Sequence, residues 1–204
     1  MHESSFRRMQ AFRDTHLASR LAERLRVIDI GSQDVNGSYR PLFAQGAWEY
    51  VGVDMAAGRN VDIVLRNPYD WQELASHSAD VVVSGQAFEH IEYFWISALE
   101  MARVLRPGGI CCLIVPSAGP EHRYPVDCWR FYPDGLRAIA RFAGLEVLQA
   151  ETDWSGTGGE GGDMWHDSVL VARKPATSWA HTWRRHLLAG AIKRLARLPS
   201  PPTQ

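Results

Sequence analysis

The stretch RVIDIGSQDVNG, residues 26–37, decides the fold. Its first half is short, apolar and β-branched, and Gly31 stops it, the pattern of a strand buried on both faces of a parallel sheet. Residues 50–54, 61–65 and 79–84 have the same character. Between the later strands lie helical patterns, a short one over 70–76 and a long one over 91–105 that closes on Pro107, Gly108 and Gly109. A fifth strand is expected over 110–115. After an irregular segment at 116–133, a helix over 134–143 is capped by Gly144 and followed by strands at 145–150 and 168–173. No helix separates those last two, so they are expected to pair antiparallel. The result is an α/β protein with a doubly wound, mostly parallel seven-stranded sheet and an antiparallel edge hairpin.

Outward from this core, residues 4–24 space Phe6, Met9, Phe12, Leu17 and Leu21 as an amphipathic helix. Residues 177–198 place Trp179, Trp183, Leu187, Leu188, Ile192, Leu195 and Leu198 on one face, with Arg184, Arg185, Lys193, Arg194 and Arg197 largely elsewhere. That basic helix has three places to go: onto its own domain, onto a second subunit as a homodimer, or onto a membrane surface. The expected division is a leading helix (1–25), one α/β domain (26–175) and a trailing basic helix with its tail (176–204).

The chain has 204 residues, with 22 basic and 23 acidic side chains and a formal net charge of −1. Such a balance disfavours an electrostatic nucleic-acid binder and a polybasic membrane protein. Cys111, Cys112 and Cys128 form neither a disulfide framework nor a spaced metal site, which points to a reducing compartment. The N-terminal residues lack the apolar core of a signal peptide, and no run reaches the roughly 18–20 apolar residues of a membrane span. A cytoplasmic location is expected, with no integral membrane segment and no nucleic-acid partner.

The turn after the first strand is not G-x-G-x-x-G, because Gln33 and Val35 stand where further small residues would admit a pyrophosphate. A nucleoside ligand without phosphates does not need that approach. Asp54, roughly 20 residues on at the end of the second strand, stands where an acid binds ribose hydroxyls. Glycine turn and acid together point to an adenosine ligand.

Four stations then resemble those of class I S-adenosylmethionine-dependent methyltransferases of the type 11 group. They are Val27–Gly31, Val51–Asp54, residues 79–84 with Phe88, Glu89 and His90, and Val104 to Gly109 at the entry to strand five. They follow the family's order over about residues 26–175. The departure is the first loop, where the family usually carries more glycines and this chain has the variant Ser32, Asp34, Asn36 and Gly37. The resemblance implies S-adenosyl-L-methionine as cofactor. Gly31 would let the backbone approach its methionyl part, with Ser32 and Gly37 in the same loop. Asp29 and Asp34 would lie near its amino group or order that loop, Asp54 would accept both ribose hydroxyls, and Met55 would pack on adenine. Asn67 would reach the adenine edge, and Ser84 would line the site at the end of strand four.

Methyl transfer from a sulfonium is an in-line displacement that needs alignment, and a hydroxyl acceptor also needs a base. His90, after strand four, is the first candidate, and His122 in the irregular loop is its rival. Tyr124, Asp127, Trp129 and Arg130 on that loop mix flat apolar surface with polar groups, which suits a sugar ring. A glycine-rich segment at 156–162 reads as a lid. A divalent cation such as Mg2+ held by His90, Asp163, His166 and Asp167 is a further expectation. The reading is therefore an O-methyltransferase acting on a small acceptor, a sugar or glycan first. A natural-product or quinone-like O- or N-methyltransferase and a catalytically silent cofactor-binding module are the alternatives.

Overall fold

The computed structural model describes residues 3–154 and 164–176, together with 187, 190–192 and 194. The proposed lid at 156–162 and almost all of the basic helix at 177–198 lie outside the described residues. Seven strands form one sheet in the order β3-β2-β1-β4-β5-β7-β6. They are β1 (Arg26–Ile30), β2 (Glu49–Asp54), β3 (Ile63–Val64), β4 (Ala79–Gly85), β5 (Leu105–Pro116), β6 (Glu146–Thr152) and β7 (Asp167–Arg173). Pairs among β1 to β5 are parallel, whereas β7 is antiparallel to both β5 and β6. The inverted strand thus lies one place inside the edge, and β6 is the edge.

Strand alternation divides the core between two faces. Ile28, Ile30, Val82, Cys111 and Leu113 face helices α3 (Phe94–Val104) and α4 (Pro133–Ala143). Val27, Val81, Val83 and Cys112 face α1 (Glu3–His16), through Met9 and Phe12, and the single turn α2 (Arg40–Phe43). β-Branched strands covered on both sides are what a parallel sheet requires.

Three elements differ from the sequence reading. α1 stops at His16, not near residue 24: Leu17 is fully buried, a 3-10 turn follows at Ala18–Arg20, and the carbonyl of Arg20 accepts the Trp48 indole N–H at 3.2 Å. Leu21 is left exposed. The helix expected over 70–76 is a series of turns. There the Glu100 carboxylate accepts the Trp71 backbone N–H at 2.9 Å, and the Arg103 guanidinium donates to the carbonyls of Trp71 and Leu74 at 2.8 and 2.9 Å. Side chains of α3 thereby satisfy backbone groups that a helix would have paired internally. β5 starts at Leu105, earlier than expected, because the Pro107–Gly109 turn is absorbed as an irregularity in the β4–β5 ladder. Helix α4 and its left-handed Gly144 cap agree with expectation.

The C-terminal end of α3 is closed by a side chain from far along the chain. The Lys174 ammonium donates to the carbonyls of Ala102 and Leu105 at 2.5 and 2.7 Å, and burial pushes its pKa down to about 8. Lys174→Met would orphan both carbonyls. The expected cost is about 1–3 kcal/mol, read in a thermal melt as roughly 2–4 °C for each kcal/mol. An unchanged melting temperature would mean that water replaces the ammonium.

Candidate active site

In open α/β sheets, ligands bind outside the carboxyl ends of the strands, where the strand order reverses. Here that point lies between β1 and β4. Gly31 leaves β1 at φ +77°, and a Cβ there would fall 2.4 Å from that of Ala87, so only glycine lets the turn lie this close to the segment after β4. The turn is tied to β2: the N–H groups of Gly31 and Ser32 donate to the Val53 carbonyl at 2.9 and 3.1 Å. The Asp54 carboxylate then gathers the loops, accepting from Gln33 N–H at 2.9 Å and from Met55 and Ala56 N–H at 2.7 and 3.2 Å.

Behind that turn is a buried polar network. Asp29, on the α1 side of β1, accepts the Tyr50 hydroxyl, which also accepts from the Asn60 amide at 3.0 Å. The Asn60 amide donates to the Ser32 carbonyl at 2.7 Å, and the Arg40 guanidinium donates to Asn60 and Asp62 at 2.6 Å each while lying over the Tyr50 ring. Burial raises the Asp29 carboxyl to about 7, against the hydrogen bond from Tyr50, with Asp54 adding repulsion and Arg40 attraction. A carboxyl raised above its unfolded pKa binds more protons when folded. It favours folding below the unfolded pKa near 4, and that contribution is lost as pH rises through the folded value near 7. Urea unfolding from pH 4.5 to 7.5 should therefore show a component of destabilisation on the order of 1.4 kcal/mol per pKa unit, absent in Asp29→Asn. Parallel pH profiles for the two proteins would contradict this.

Beyond β4, residues Phe88–His90 make a 3-10 turn, and the loop after β5 closes over it. The backbone N–H groups of Cys128 and Trp129 donate to the Glu89 carbonyl at 2.8 and 3.3 Å. The Trp129 indole N–H is shared between the carbonyls of Ile91 and Glu92, both at 3.1 Å, and its ring packs edge-on against Phe94 and Trp95. Asp127 accepts both terminal nitrogens of Arg130 and the His122 backbone N–H, and these donors hold its carboxyl well below the ordinary range. The anchored loop sets the His122 ring 4.9 Å from that of His90 and leaves Tyr124 6.4 Å from His90, 58% exposed. Burial lowers the His90 pKa, so the ring is neutral near pH 7. Its Nδ1 lies 2.6 Å from the Val126 carbonyl, an acceptor only; Nδ1 therefore carries the proton and Nε2 keeps its lone pair. Glu89 beneath it is 0% exposed, and burial raises its carboxyl to about 8.

Residues 28–113 match the family model for a methyltransferase domain of type 11. Over that stretch the chain resembles a methyltransferase domain, and its seven-stranded sheet has the Rossmann-like methyltransferase fold. No curated protein matches it by sequence. Among solved structures, the Burkholderia thailandensis 1,6-didemethyltoxoflavin-N1-methyltransferase, bound to 1,6-didemethyltoxoflavin and S-adenosylhomocysteine, superposes with a TM-score of 0.65 at 17% identity, covering 85% of this chain and 79% of that one. The [4+2]-cyclase SpnF gives 0.61 at 17% identity over 83% and 86% of the two chains. The CurJ carbon methyltransferase gives 0.56 at 14% over 76% and 49%. At such identities the likeness is one of fold, and the three differ in their chemistry.

The fold brings Gly31, Ser32 and Asp54 together at one end of the sheet, with Met55 packed on the core beside them. It also unites His90, His122 and Tyr124. Other candidates are occupied differently. Ser84 donates to the Ile30 carbonyl at 2.7 Å and ties β4 to β1, while Asn67 accepts the Tyr69 N–H at 2.8 Å in a local turn. Asp34 accepts from Gly37 N–H and pairs with Arg59, ordering the loop. Asp127, Trp129 and Arg130 anchor the loop after β5 through hydrogen bonds, with Trp129 still 36% exposed. The cation set expected from sequence is not assembled: Asp167 is bonded to Gln86 and Ser4, and His166 points Nδ1 at the Asp153 carbonyl 3.3 Å away, while Asp163 lies outside the described residues. Sequence reasoning assigned no site role to Glu89, whose carboxylate is buried without a partner, or to Gln86, whose φ of +57° and buried, unpartnered Oε1 mark the turn after β4.

The cofactor's fit can be judged from these groups. Asp29 Oδ1 and Gln86 Oε1 are buried acceptors without a hydrogen-bond partner near the carboxyl ends of β1 and β4, and buried acceptors are seldom left so. A ligand with ammonium and hydroxyl donors suits them.

Proposed function

We propose that the chain transfers a methyl group from S-adenosylmethionine to a hydroxyl of a small polar acceptor, a sugar or glycan first. The observation that carries this reading is the neutral His90 with its Nε2 lone pair free, held by Val126 beside His122 and Tyr124 where the loop after β5 meets the end of β4. When bound, the cofactor supplies a methyl on a positively charged sulfur. Asp54 holds the ribose hydroxyls through the acceptor capacity its three backbone donors leave, and the Gly31 turn admits the methionyl part. Gln86 Oε1 and Asp29 Oδ1 serve as acceptors for the amino group. His90 Nε2 would take the acceptor's hydroxyl proton, and the bound cofactor would supply the methyl group and leave as S-adenosylhomocysteine. His122 and Tyr124 hold the acceptor's neighbouring hydroxyls.

Incubation with methyl-labelled cofactor and a panel of monosaccharides, short glycans, phenols and amines tests this. Label on oxygen of a hydroxylated acceptor, identified by NMR, is the expected result. Label on nitrogen or carbon would overturn the acceptor assignment while leaving the cofactor assignment intact.

A further inference from the structure

Glu89 poses a problem that methyl transfer does not solve. Its side chain is completely buried, yet neither carboxylate oxygen has a hydrogen-bond partner. Native interiors rarely tolerate a buried acid without donors, because desolvation is then uncompensated. The group beside it is not a donor either: His90 Nε2, 3.7 Å from Glu89 Oε1, carries a lone pair because Nδ1 donates to the Val126 carbonyl. A third lone-pair donor converges on both. One ligand atom from each of Glu89, His90 and His122 lies within 4.8 Å of the other two.

We propose that Glu89, His90 and His122 form a binding site for a divalent transition-metal ion of the Zn2+, Co2+ or Fe2+ kind. Around such an ion, bonds of about 2.0–2.2 Å bring ligand atoms to roughly 3.5 Å from one another. The Glu89–His90 separation already fits, and a small rotation of the half-buried His122 ring supplies the rest. His90 is fixed by its Nδ1–H to a backbone carbonyl, a contact of the kind that orients metal-binding histidines, whereas His122 Nδ1 lies 3.4 Å from Asp127 without a hydrogen bond to it. Two imidazoles and one carboxylate favour a transition ion over Mg2+, which prefers oxygen ligands. Three protein ligands also leave a position open, as at catalytic rather than structural sites.

An ion there would engage the His90 Nε2 lone pair. In the metal-loaded protein the ion would take over from His90 by binding the acceptor hydroxyl and lowering its pKa, whereas His90 acts as proton acceptor only without it. That consequence rests on the proposed methyl transfer, whereas the site itself rests only on the three side chains. The test therefore reads binding. Full-length protein freed of metal by chelation and gel filtration is titrated with Zn2+ by calorimetry and with Co2+ by visible absorption, alongside Mg2+. One Zn2+ and one Co2+ per chain are expected, with cobalt bands of a four- or five-coordinate site and no Mg2+ binding at the same concentrations. Glu89→Gln and His122→Ala, each shown to be folded by circular dichroism, should weaken both ions by at least about a hundredfold. Stoichiometric binding lost in both variants establishes the site even if no acceptor is methylated. No binding by the wild type, or binding that survives in both folded variants, overturns it.

Discussion

Replacing His90 by alanine is expected to lower methyl-transfer turnover by roughly 10²–10⁴, the range contributed by a positioned proton acceptor, while S-adenosylhomocysteine binds unchanged. The separation follows from geography. His90 belongs to the turn after β4 and is held by the Val126 carbonyl of the loop after β5, whereas the groups proposed to hold the cofactor lie on the turns after β1 and β2. Steady-state kinetics with calorimetry on the same preparation would show it. A fall in cofactor affinity matching the fall in turnover would mean that His90 supports the cofactor. If His122→Ala alone produced the kinetic loss, the other ring would be the proton acceptor.

Asp54→Ala should do the reverse. Loss of charge-assisted hydrogen bonds to the ribose, worth about 1.5–3 kcal/mol, should weaken S-adenosylhomocysteine by tenfold or more. The substitution also releases the backbone N–H groups of Gln33, Met55 and Ala56, so part of the loss arises from a loosened loop. Asp54→Asn separates the two contributions. It keeps one acceptor oxygen for the loop, and its affinity should fall between those of the wild type and the alanine variant. Unchanged affinity in a folded alanine variant would remove Asp54 from the cofactor site.

The parts of this architecture written in local pattern were legible in the sequence. β1, β2 and β4 announce themselves as β-branched runs stopped by glycine or acid, and α4 by its periodicity and Gly144. What escaped depends on partners distant along the chain. The turns at 70–76 exist because Glu100 and Arg103 bond their backbone, and no local propensity reports that. Likewise, Glu89 reads locally as an acid at the start of a helix, which usually serves the dipole. Its burial comes from the loop after β5, whose Cys128 and Trp129 N–H groups fold back onto the Glu89 carbonyl. The composition of the same loop suggested a binding role, yet the division within it was hidden: Trp129, Asp127 and Arg130 anchor it, while His122 and Tyr124 lie beside His90. The position of β7 between β5 and β6 was also beyond local pattern, since antiparallel pairing of the last two strands is compatible with either as the edge.

Calorimetric titration of the intact chain with S-adenosylhomocysteine and, separately, with NAD tests the central claim most directly. The turn at Gly31 lacks the further glycines that a pyrophosphate needs, while Asp54 and the unpartnered acceptors Asp29 Oδ1 and Gln86 Oε1 suit a nucleoside bearing an amino acid. One S-adenosylhomocysteine per chain and no heat from NAD is the predicted result; saturable NAD binding with none for S-adenosylhomocysteine would contradict it.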